Sequence, residues 1–397
     1  MEKTKIEDSF QPVYAYSLCI FWLFMADVSW LSWLPSLLTY AYILVISSVK
    51  LSKRTIPITL YEAISIGLLF FYFLLSAIVW EVSRSFGLLV NLAKFISLVS
   101  VVLLPVKEKL YLLKAIINCF VVILLISIPA WILYLLGVPL PHSGLIYHSD
   151  NFHEFYDYYF FRVAAKFSFF PRFGSIFLEP GQLATPCAFL WYLNGANFSR
   201  KNIVLLVAII LSFSLVGYGL VAFGFVARRI VDTSKYRILK VFLALSVVLG
   251  AFFYLSQNES SDDPVQELIL SRLEYDDELG IVGNNRLSGQ FRARYEVFIK
   301  SSDRYLGIHD KLVSGYDWTG NCAGIQKFIV HRGIIGFSVF MMFILTLFWY
   351  KRSLSSLLWL TILMMAFATR DMLQTPLWSG IAVIGFYLMN ALRFRSI

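Results

Sequence analysis

Two arginines in separate polar stretches are the residues of this chain best suited to chemistry on an anion. Arg172 stands a few residues before Glu179-Pro180-Gly181, and Arg286 closes the turn sequence Gly283-Asn284-Asn285-Arg286. A guanidinium is permanently charged, and its planar fork can hold a phosphate through two hydrogen bonds. The two residues therefore predict recognition of a phosphorylated ligand.

The sequence around Pro180 predicts where a helix begins. Proline disfavours helical geometry at the preceding residue and suits the first helical position, so we expect a helix from Pro180 with Glu179 as its cap. The N–H groups of such a first turn, which includes Gly181, and the positive end of the helix dipole favour an anion. The alternative is structural: Arg172 extends to lipid headgroups and Glu179 is only a cap.

A third group of candidates lies in the stretch 288–301, which has helical spacing. Its aromatic residues fall on one stripe, and Arg294 flanks that stripe. Arg292 begins a series of alternating charges on the other face, where a solvated ladder of ion pairs competes with substrate binding as the interpretation. The stripe comprises Phe291, Tyr295 and Phe298, and the series comprises Arg292, Glu296 and Lys300.

Cofactor and metal motifs are not found in the sequence. His142, His148 and His153 have no acidic partner at ligand spacing. There is no P-loop, no glycine-rich dinucleotide motif and no HExxH. The net charge of +9 comes from Lys and Arg that sit mostly beside apolar runs. We therefore predict no metal, no cofactor and no nucleic-acid partner.

Composition decides the class of protein that must position these residues. The 397 residues are 58% hydrophobic and 15% charged, with a mean hydropathy of +0.70, which excludes a disordered chain and an ordinary soluble domain. The prediction is an all-α polytopic membrane protein with about 10 full spans plus a broken or re-entrant helix pair. The apolar runs are 13-31, 33-49, 57-80, 86-106, 110-138, 175-195, 203-227, 239-256, 329-349, 354-369 and 375-391.

Basic residues near the ends of these runs predict the orientation, because Lys and Arg collect on the cytoplasmic side. The segment 203-227 has basic residues at both ends, so it must enter and leave on the same side. Irregular backbone is tolerated at membrane depth where protein covers it, and we expect two half-length helices that meet near Gly217. A single tilted helix with a misplaced charge is the alternative. Both termini are then cytoplasmic.

This orientation places two long hydrophilic loops, 139-174 and 257-328, on the outer face. Loops of this length are normally functional or disordered. The predicted organisation is five N-terminal spans in 1-138, the first loop in 139-174, central spans in 175-256, the second loop in 257-328 and three C-terminal spans in 329-397.

The order of these features resembles the Wzy-type O-antigen polymerase and ligase superfamily. The resemblance covers most of the chain. It rests on the first loop ending Arg172-Phe173-Gly174-Ser175-Ile176-Phe177-Leu178-Glu179-Pro180, on Ser212-Phe213-Ser214, on Asn285-Arg286 and on Gly333-Ile334-Ile335-Gly336. The ligase branch typically carries a His some ten residues before the last motif. Asn321-Cys322-Ala323 stands there instead, which favours a polymerase.

The resemblance implies a GT-C-like glycosyltransferase of the bacterial inner membrane. It would join undecaprenyl-pyrophosphate-linked oligosaccharide units on the periplasmic side, with inversion and without metal. Arg172 and Arg286 would hold the diphosphate as it leaves, and Glu179 would act as a base. Arg294, Arg292 and Gly181 are expected substrate contacts. Membrane lipid and a chain-length regulator are the other expected partners.

Three alternatives remain. The first is an O-antigen ligase that transfers glycan to lipid A-core. The second is a flippase or transporter of lipid-linked oligosaccharides, which would carry charges along a central cavity rather than arginines in a long outer loop. The third is a structural membrane partner of polysaccharide assembly.

Overall fold

The computed structural model describes residues 2–26, 36–53, 57–80, 87–148, 153–165, 171–231, 275–276, 280–281, 289–308, 324–350, 352–370 and 375–391. This part of the chain is mostly helical. Its helices are α1 Glu2–Met25, α2 Ser36–Ser52, α3 Leu60–Leu75 with a π-helical turn Ser76–Trp80, α4 Gly87–Leu103, α5 Val106–Leu135, α6 Pro180–Leu193, α7 Arg200–Leu211, α8 Leu215–Val231, α9 Gly289–Lys300, α10 Gly324–Tyr350, α11 Leu354–Thr369 and α12 Pro376–Ala391.

Short strands fall in both predicted outer loops. An antiparallel sheet β1-β2-β3 is formed by Leu145–His148, His153–Asp157 and Arg162–Ala164, and β4 Tyr275–Asp276 pairs with β5 Gly280–Ile281. The sequence prediction gave residues 139-174 as a loop and did not anticipate these strands, whereas the described part of the chain as a whole is mostly helical, as predicted. Backbone N–H and C=O groups need partners, and this loop finds them in strand pairing. Its aromatic and β-branched residues suit a pleated surface.

The chain forms two compact units. The first consists of Met1–Phe120, Gln290–Thr319 and Ala323–Arg393, and the second of Val121–Gly289, Gly320–Cys322 and Phe394–Ile397. The boundary falls within α5. Each unit combines stretches that are far apart in the sequence. The sequence prediction instead divided the chain into five consecutive segments, which separated membrane spans from loops.

The helices of the first unit pack indole rings against glycines. An added Cβ at Gly380 would overlap the Trp22 ring, and one at Gly385 would overlap the Trp359 ring. Both tryptophans are fully buried, and Trp359 Nε1 donates a hydrogen bond of 3.2 Å to the carbonyl of Ala382. Small residues let helices of a membrane protein approach closely. These contacts fix α12 against α1 and α11.

Helix α10 reverses direction at Gly333, which has φ 67° and ψ 175°. The ring of Phe328 lies 5.6 Å from that of Phe340, whereas twelve residues of straight helix would separate them by about 18 Å. The segment Tyr305–Ile308 packs on the reversal, because Ile335 N donates to Tyr305 O at 3.1 Å and Ile308 N donates to Val330 O at 2.8 Å. This turn lies inside the predicted span 329-349, at the start of the Gly333-Ile334-Ile335-Gly336 motif.

The second unit contains the predicted broken helix. Two helices, α7 and α8, flank the residues 212–214, and Phe213 has φ 47°. The break is thus confirmed, but it lies before Gly217 rather than at it. Gly217 is inside α8, where an added Cβ would stand 2.7 Å from the Cβ of Ala184 on α6. Its role is close helix packing.

Within the described residues, three helices are long and apolar enough to cross a membrane by length and composition: Leu60–Trp80, Val106–Leu135 and Gly324–Tyr350, the last counted across its reversal at Gly333. This supports a helical membrane-associated protein but gives fewer spans than the ten predicted. Five other apolar helices have 10–17 residues. A helix of 17 residues rises about 26 Å, which is short of a hydrocarbon core about 30 Å thick. The run 239-256 lies outside the described residues.

Candidate functional site

Arg172 lies at the break between α7 and α8. Its Nε donates to the carbonyl of Ser212 at 3.1 Å and its Nη2 donates to the carbonyl of Phe213 at 2.7 Å. The last carbonyls of a helix have no partner inside the helix, and a cation is favourable at that end of the helix dipole.

The segment that carries Arg172 is buried although it is not helical. Phe173, Ser175 and Ile176 have no exposed surface. Ser175 Oγ is 2.8 Å from Ser127 Oγ on α5, and the ring of Phe173 lies 5.5 Å from that of Trp131 on the same helix. Residues 171–179 are therefore held by α5 on one side and by the break on the other.

The predicted start of α6 is confirmed. Pro180 is its first residue, and Glu179 is the N-cap residue with extended backbone, φ −127° and ψ 143°. The Glu179 side chain makes no capping hydrogen bond. Gly181 is buried, and Gln182 N donates to Glu179 O at 2.9 Å. The first turn is consequently less open than the sequence implied.

Of the other predicted site residues, Arg292 and Arg294 lie on helix α9, in the first unit. Helix α9 has the predicted bounds within one residue, and its aromatic stripe is partly buried, with Phe291 and Phe298 almost fully so. Arg294 is exposed on this helix in the first unit. The side chain of Arg292 and all of Arg286 lie outside the described residues. The association of these arginines with Arg172 stays a prediction.

The structure contains a buried ion pair in the first predicted outer loop that the sequence did not predict. Arg162 Nε is 3.2 Å from Asp157 Oδ2, and both side chains are less than a tenth exposed. Asp157 Oδ1 accepts from Tyr159 N at 2.7 Å, and Arg162 N donates to Ser175 O at 3.0 Å. The pair thus joins the β2–β3 turn to the buried segment 171–179. The only sequence signal was a pair of opposite charges five residues apart, Asp157 at the end of β2 and Arg162 at the start of β3.

A second buried guanidinium was also missed. Arg332 is 8% exposed in the first unit, next to Gly333, and its Cζ lies 5.1 Å from the ring centroid of Trp80. Trp80 Nε1 in turn donates to Leu306 O at 2.5 Å. A charged residue within an apolar run, here the predicted span 329-349, was the signal that could have found it.

Within the described part of the chain, His, Cys, Asp and Glu form no group of three or more that could hold a metal ion. The polar groups of the second-unit site are instead a guanidinium, backbone carbonyls and a carboxylate. Such a set can bind an anion through the cation and orient a hydroxyl through the carboxylate.

Comparisons with protein-family models, with curated proteins and with solved structures find no match to this chain.

Proposed function

We propose that the protein is a glycosyltransferase of the bacterial inner membrane, a polymerase that joins undecaprenyl-pyrophosphate-linked oligosaccharide units at the periplasmic face. The observation that carries the proposal is Arg172, a guanidinium held by two backbone carbonyls at a helix break beside the start of α6. A cation fixed in this way is suited to a diphosphate leaving group.

The level of Arg172 along α5 supports a lipid-linked substrate. From Ala115 to Leu135, α5 carries no charged residue and rises about 30 Å, close to the thickness of a hydrocarbon core. Its C-terminal end would then lie at the outer boundary. Trp131, which contacts the residue after Arg172, lies about 6 Å inward of that end. Arg172 would therefore stand just inside the outer boundary of the hydrocarbon core, where its proposed ligand would be the headgroup of a lipid that enters from the bilayer.

The proposed reaction is attack by an acceptor hydroxyl on the anomeric carbon of the donor, with inversion. The bond from that carbon to the diphosphate breaks, and the leaving group takes both electrons as its charge grows. Arg172 stabilises this charge, with Arg286 as the expected second cation and no metal required. Glu179, at the start of α6, is the proposed acceptor of the hydroxyl proton.

The finer topology belongs to the same proposal. We infer about ten spans, with the five shorter apolar helices among them, a re-entrant pair formed by α7 and α8, two periplasmic loops and cytoplasmic termini. The break supports the re-entrant pair, because protein covers its irregular backbone: Ser212 and Ser214 are both buried.

Replacement of Arg172 by alanine tests the function directly. Cells that carry Arg172→Ala at normal protein levels should make single-unit or very short glycans, because the leaving diphosphate loses its fixed cation. The measurement is the length distribution of surface polysaccharide together with the lipid-linked glycans of the membrane. Arg200→Ala, which removes an exposed guanidinium from α7 of the same unit, should leave both profiles unchanged.

The lipid-linked intermediates also separate the alternatives. Loss of a polymerase leaves single units still able to reach the cell surface, loss of a ligase strands long polymers on the lipid, and loss of a flippase strands units on the cytoplasmic side. Normal polymer length in Arg172→Ala cells would contradict a catalytic role and favour a structural one.

A further inference from the structure

A cluster of aromatic side chains stands at the C-terminal end of α5, in the second unit. It consists of Tyr134 on α5, His142 before β1, Tyr156 on β2, and Tyr158 and Phe161 in the β2–β3 turn. We call these five residues the aromatic platform. The rings of Tyr158 and Phe161 are parallel within 2° at 4.7 Å, and Tyr134 lies 5.1 Å from Tyr158.

Backbone hydrogen bonds and a buried ion pair hold the aromatic platform rigidly. Tyr158 N donates to Phe161 O at 2.9 Å, and the buried pair of Asp157 and Arg162 closes the turn that carries both rings. On the other edge, Ser143 N donates to Asp157 O at 2.8 Å, which fixes the residue next to His142. The rings therefore need little reorganisation to receive a ligand.

The accessible surface of the aromatic platform combines aromatic rings with hydrogen-bonding groups. Phe161 is buried, whereas Tyr134, Tyr156 and Tyr158 are half-buried and His142 is exposed. The imidazole of His142 lies 5.3 Å from Tyr156 and 5.1 Å from Tyr158, centroid to centroid. A tyrosine hydroxyl is protonated at neutral pH and can donate a hydrogen bond, and burial raises the pKa of Tyr158 further above its ordinary value.

The platform lies one helical turn outward of Arg172 along α5. Phe173, the residue after Arg172, packs on Trp131, and Tyr134 of the platform follows three residues later. Three residues of helix rise about 4.5 Å. A sugar attached to a diphosphate at Arg172 and directed away from the membrane would meet these rings first.

We propose that the aromatic platform binds the pyranose rings nearest to the diphosphate of the lipid-linked glycan. This inference rests on the proposed function and adds a sugar subsite to it. A pyranose presents C–H groups on a face and hydroxyls around its rim, so it can lie on a phenol ring while the rim bonds to tyrosine hydroxyls and to His142. Ligand sites are commonly lined by aromatic groups with a few polar ones.

A lipid contact is the competing occupant of this surface, since Tyr and Trp also gather at membrane interfaces. Within the β2–β3 turn, the more exposed rings are Tyr159 and Phe160, at 49% and 45%, and these suit a lipid better. The platform differs because its rings carry three hydroxyls and an imidazole within one contact set. Lipid chains offer no partners for these groups.

The experiment measures equilibrium binding to the full-length protein in nanodiscs. The probes are undecaprenyl pyrophosphate alone and undecaprenyl pyrophosphates carrying one to three hexose or N-acetylhexosamine residues. The wild type should bind at least one sugar-bearing probe more tightly than the bare lipid. Tyr158→Leu should weaken that probe about five- to tenfold and leave binding of the bare lipid unchanged. Tyr158→Phe, which keeps the ring, should retain most of the gain.

Two further variants make the result decisive. Phe160→Leu, in the same turn but outside the platform, should bind all probes as the wild type does. His142→Ala alters an exposed residue with little risk to folding, and it should reduce only sugar-dependent binding. The inference is overturned if no sugar-bearing probe binds the wild type more tightly than the bare lipid. It also fails if Tyr158→Leu weakens all probes equally, or none.

The test separates this inference from the proposed function. Arg172→Ala should weaken the bare and sugar-bearing probes by the same factor, because it contacts the diphosphate. If Arg172→Ala changes neither while Tyr158→Leu removes the sugar-dependent gain, the role proposed for Arg172 is wrong and the platform stands. The reverse pattern leaves Arg172 in its role and removes the platform.

Discussion

At the scale of residues, Arg172 has two tasks in this account. Its bonds to the carbonyls of Ser212 and Phe213 complete the end of α7, and the same charge is proposed to hold a diphosphate. The tasks are compatible because the guanidinium is a planar fork with several donors. Lysine has one ammonium and cannot bridge two carbonyls and a ligand in one plane.

The substitution Arg172→Lys therefore tests geometry rather than charge. We expect a loss of about 1–2 kcal/mol in stability from the weakened carbonyl contacts, and polymer as short as in Arg172→Ala cells. Thermal unfolding of the purified protein in detergent gives the first quantity, and glycan length in cells gives the second. Full activity in the lysine variant would show that bidentate recognition of a diphosphate is the wrong explanation.

At the scale of elements, glycines decide how closely helices pack. Gly217 and Gly219 stand three and five residues after the break at 212–214, in the same helix. An added Cβ at Gly217 meets Ala184 and Ile209, whereas nothing lies within 4 Å of one at Gly219. The two positions form a matched pair for testing the packing of α8 on α6 and α7.

We expect Gly217→Ala to destabilise the protein by about 1–3 kcal/mol, because the overlap forces α8 away from α6. Gly219→Ala should be neutral or stabilise by up to about 1 kcal/mol, since alanine is the better helix former. Thermal unfolding in detergent measures both. Equal effects at the two positions would mean that the close approach of α8 and α6 does not exist.

The reversal of α10 at Gly333 allows a similar test in the first unit. The positive φ of Gly333 disfavours any other residue, and an added Cβ would also lie 2.5 Å from Gly307 N. Gly333→Ala should cost about 2 kcal/mol or more in unfolding free energy. Gly67→Ala on α3, where nothing lies within 4 Å, is the control and should cost nothing. A stable Gly333→Ala protein would indicate that α10 runs straight.

At the scale of the whole molecule, the proposal depends on which residues face the periplasm. In a background without cysteines, Cys introduced at His142, Phe160 or Arg294 should react in intact spheroplasts with a maleimide that cannot cross membranes. Cys at Lys53 or Arg200 should react only after lysis, because these positions are expected to be cytoplasmic. Opposite labelling of positions 142 and 294 would contradict two loops on one face.

The sequence by itself determined the membrane class, the position of most helices and the start of α6 at Pro180. These follow from local physics: apolar runs of sufficient length, and a proline that fixes its own φ and restricts the residue before it. It also indicated a break between residues 203 and 227, because basic residues at both ends require an even number of passes.

Only the tertiary structure decided the position of that break, the reversal at Gly333, the pair of Asp157 and Arg162, and the meeting of Arg172 with Ser212 and Phe213. The meeting of Arg172 with the break depends on residues far apart in the chain, the reversal depends on whether a glycine serves a turn or a close contact, and the ion pair depends on how strands β2 and β3 align. Hydrophobic periodicity carries no information about any of these. The partner of a side chain is chosen by packing and by unsatisfied backbone groups, which exist only once the helices have come together.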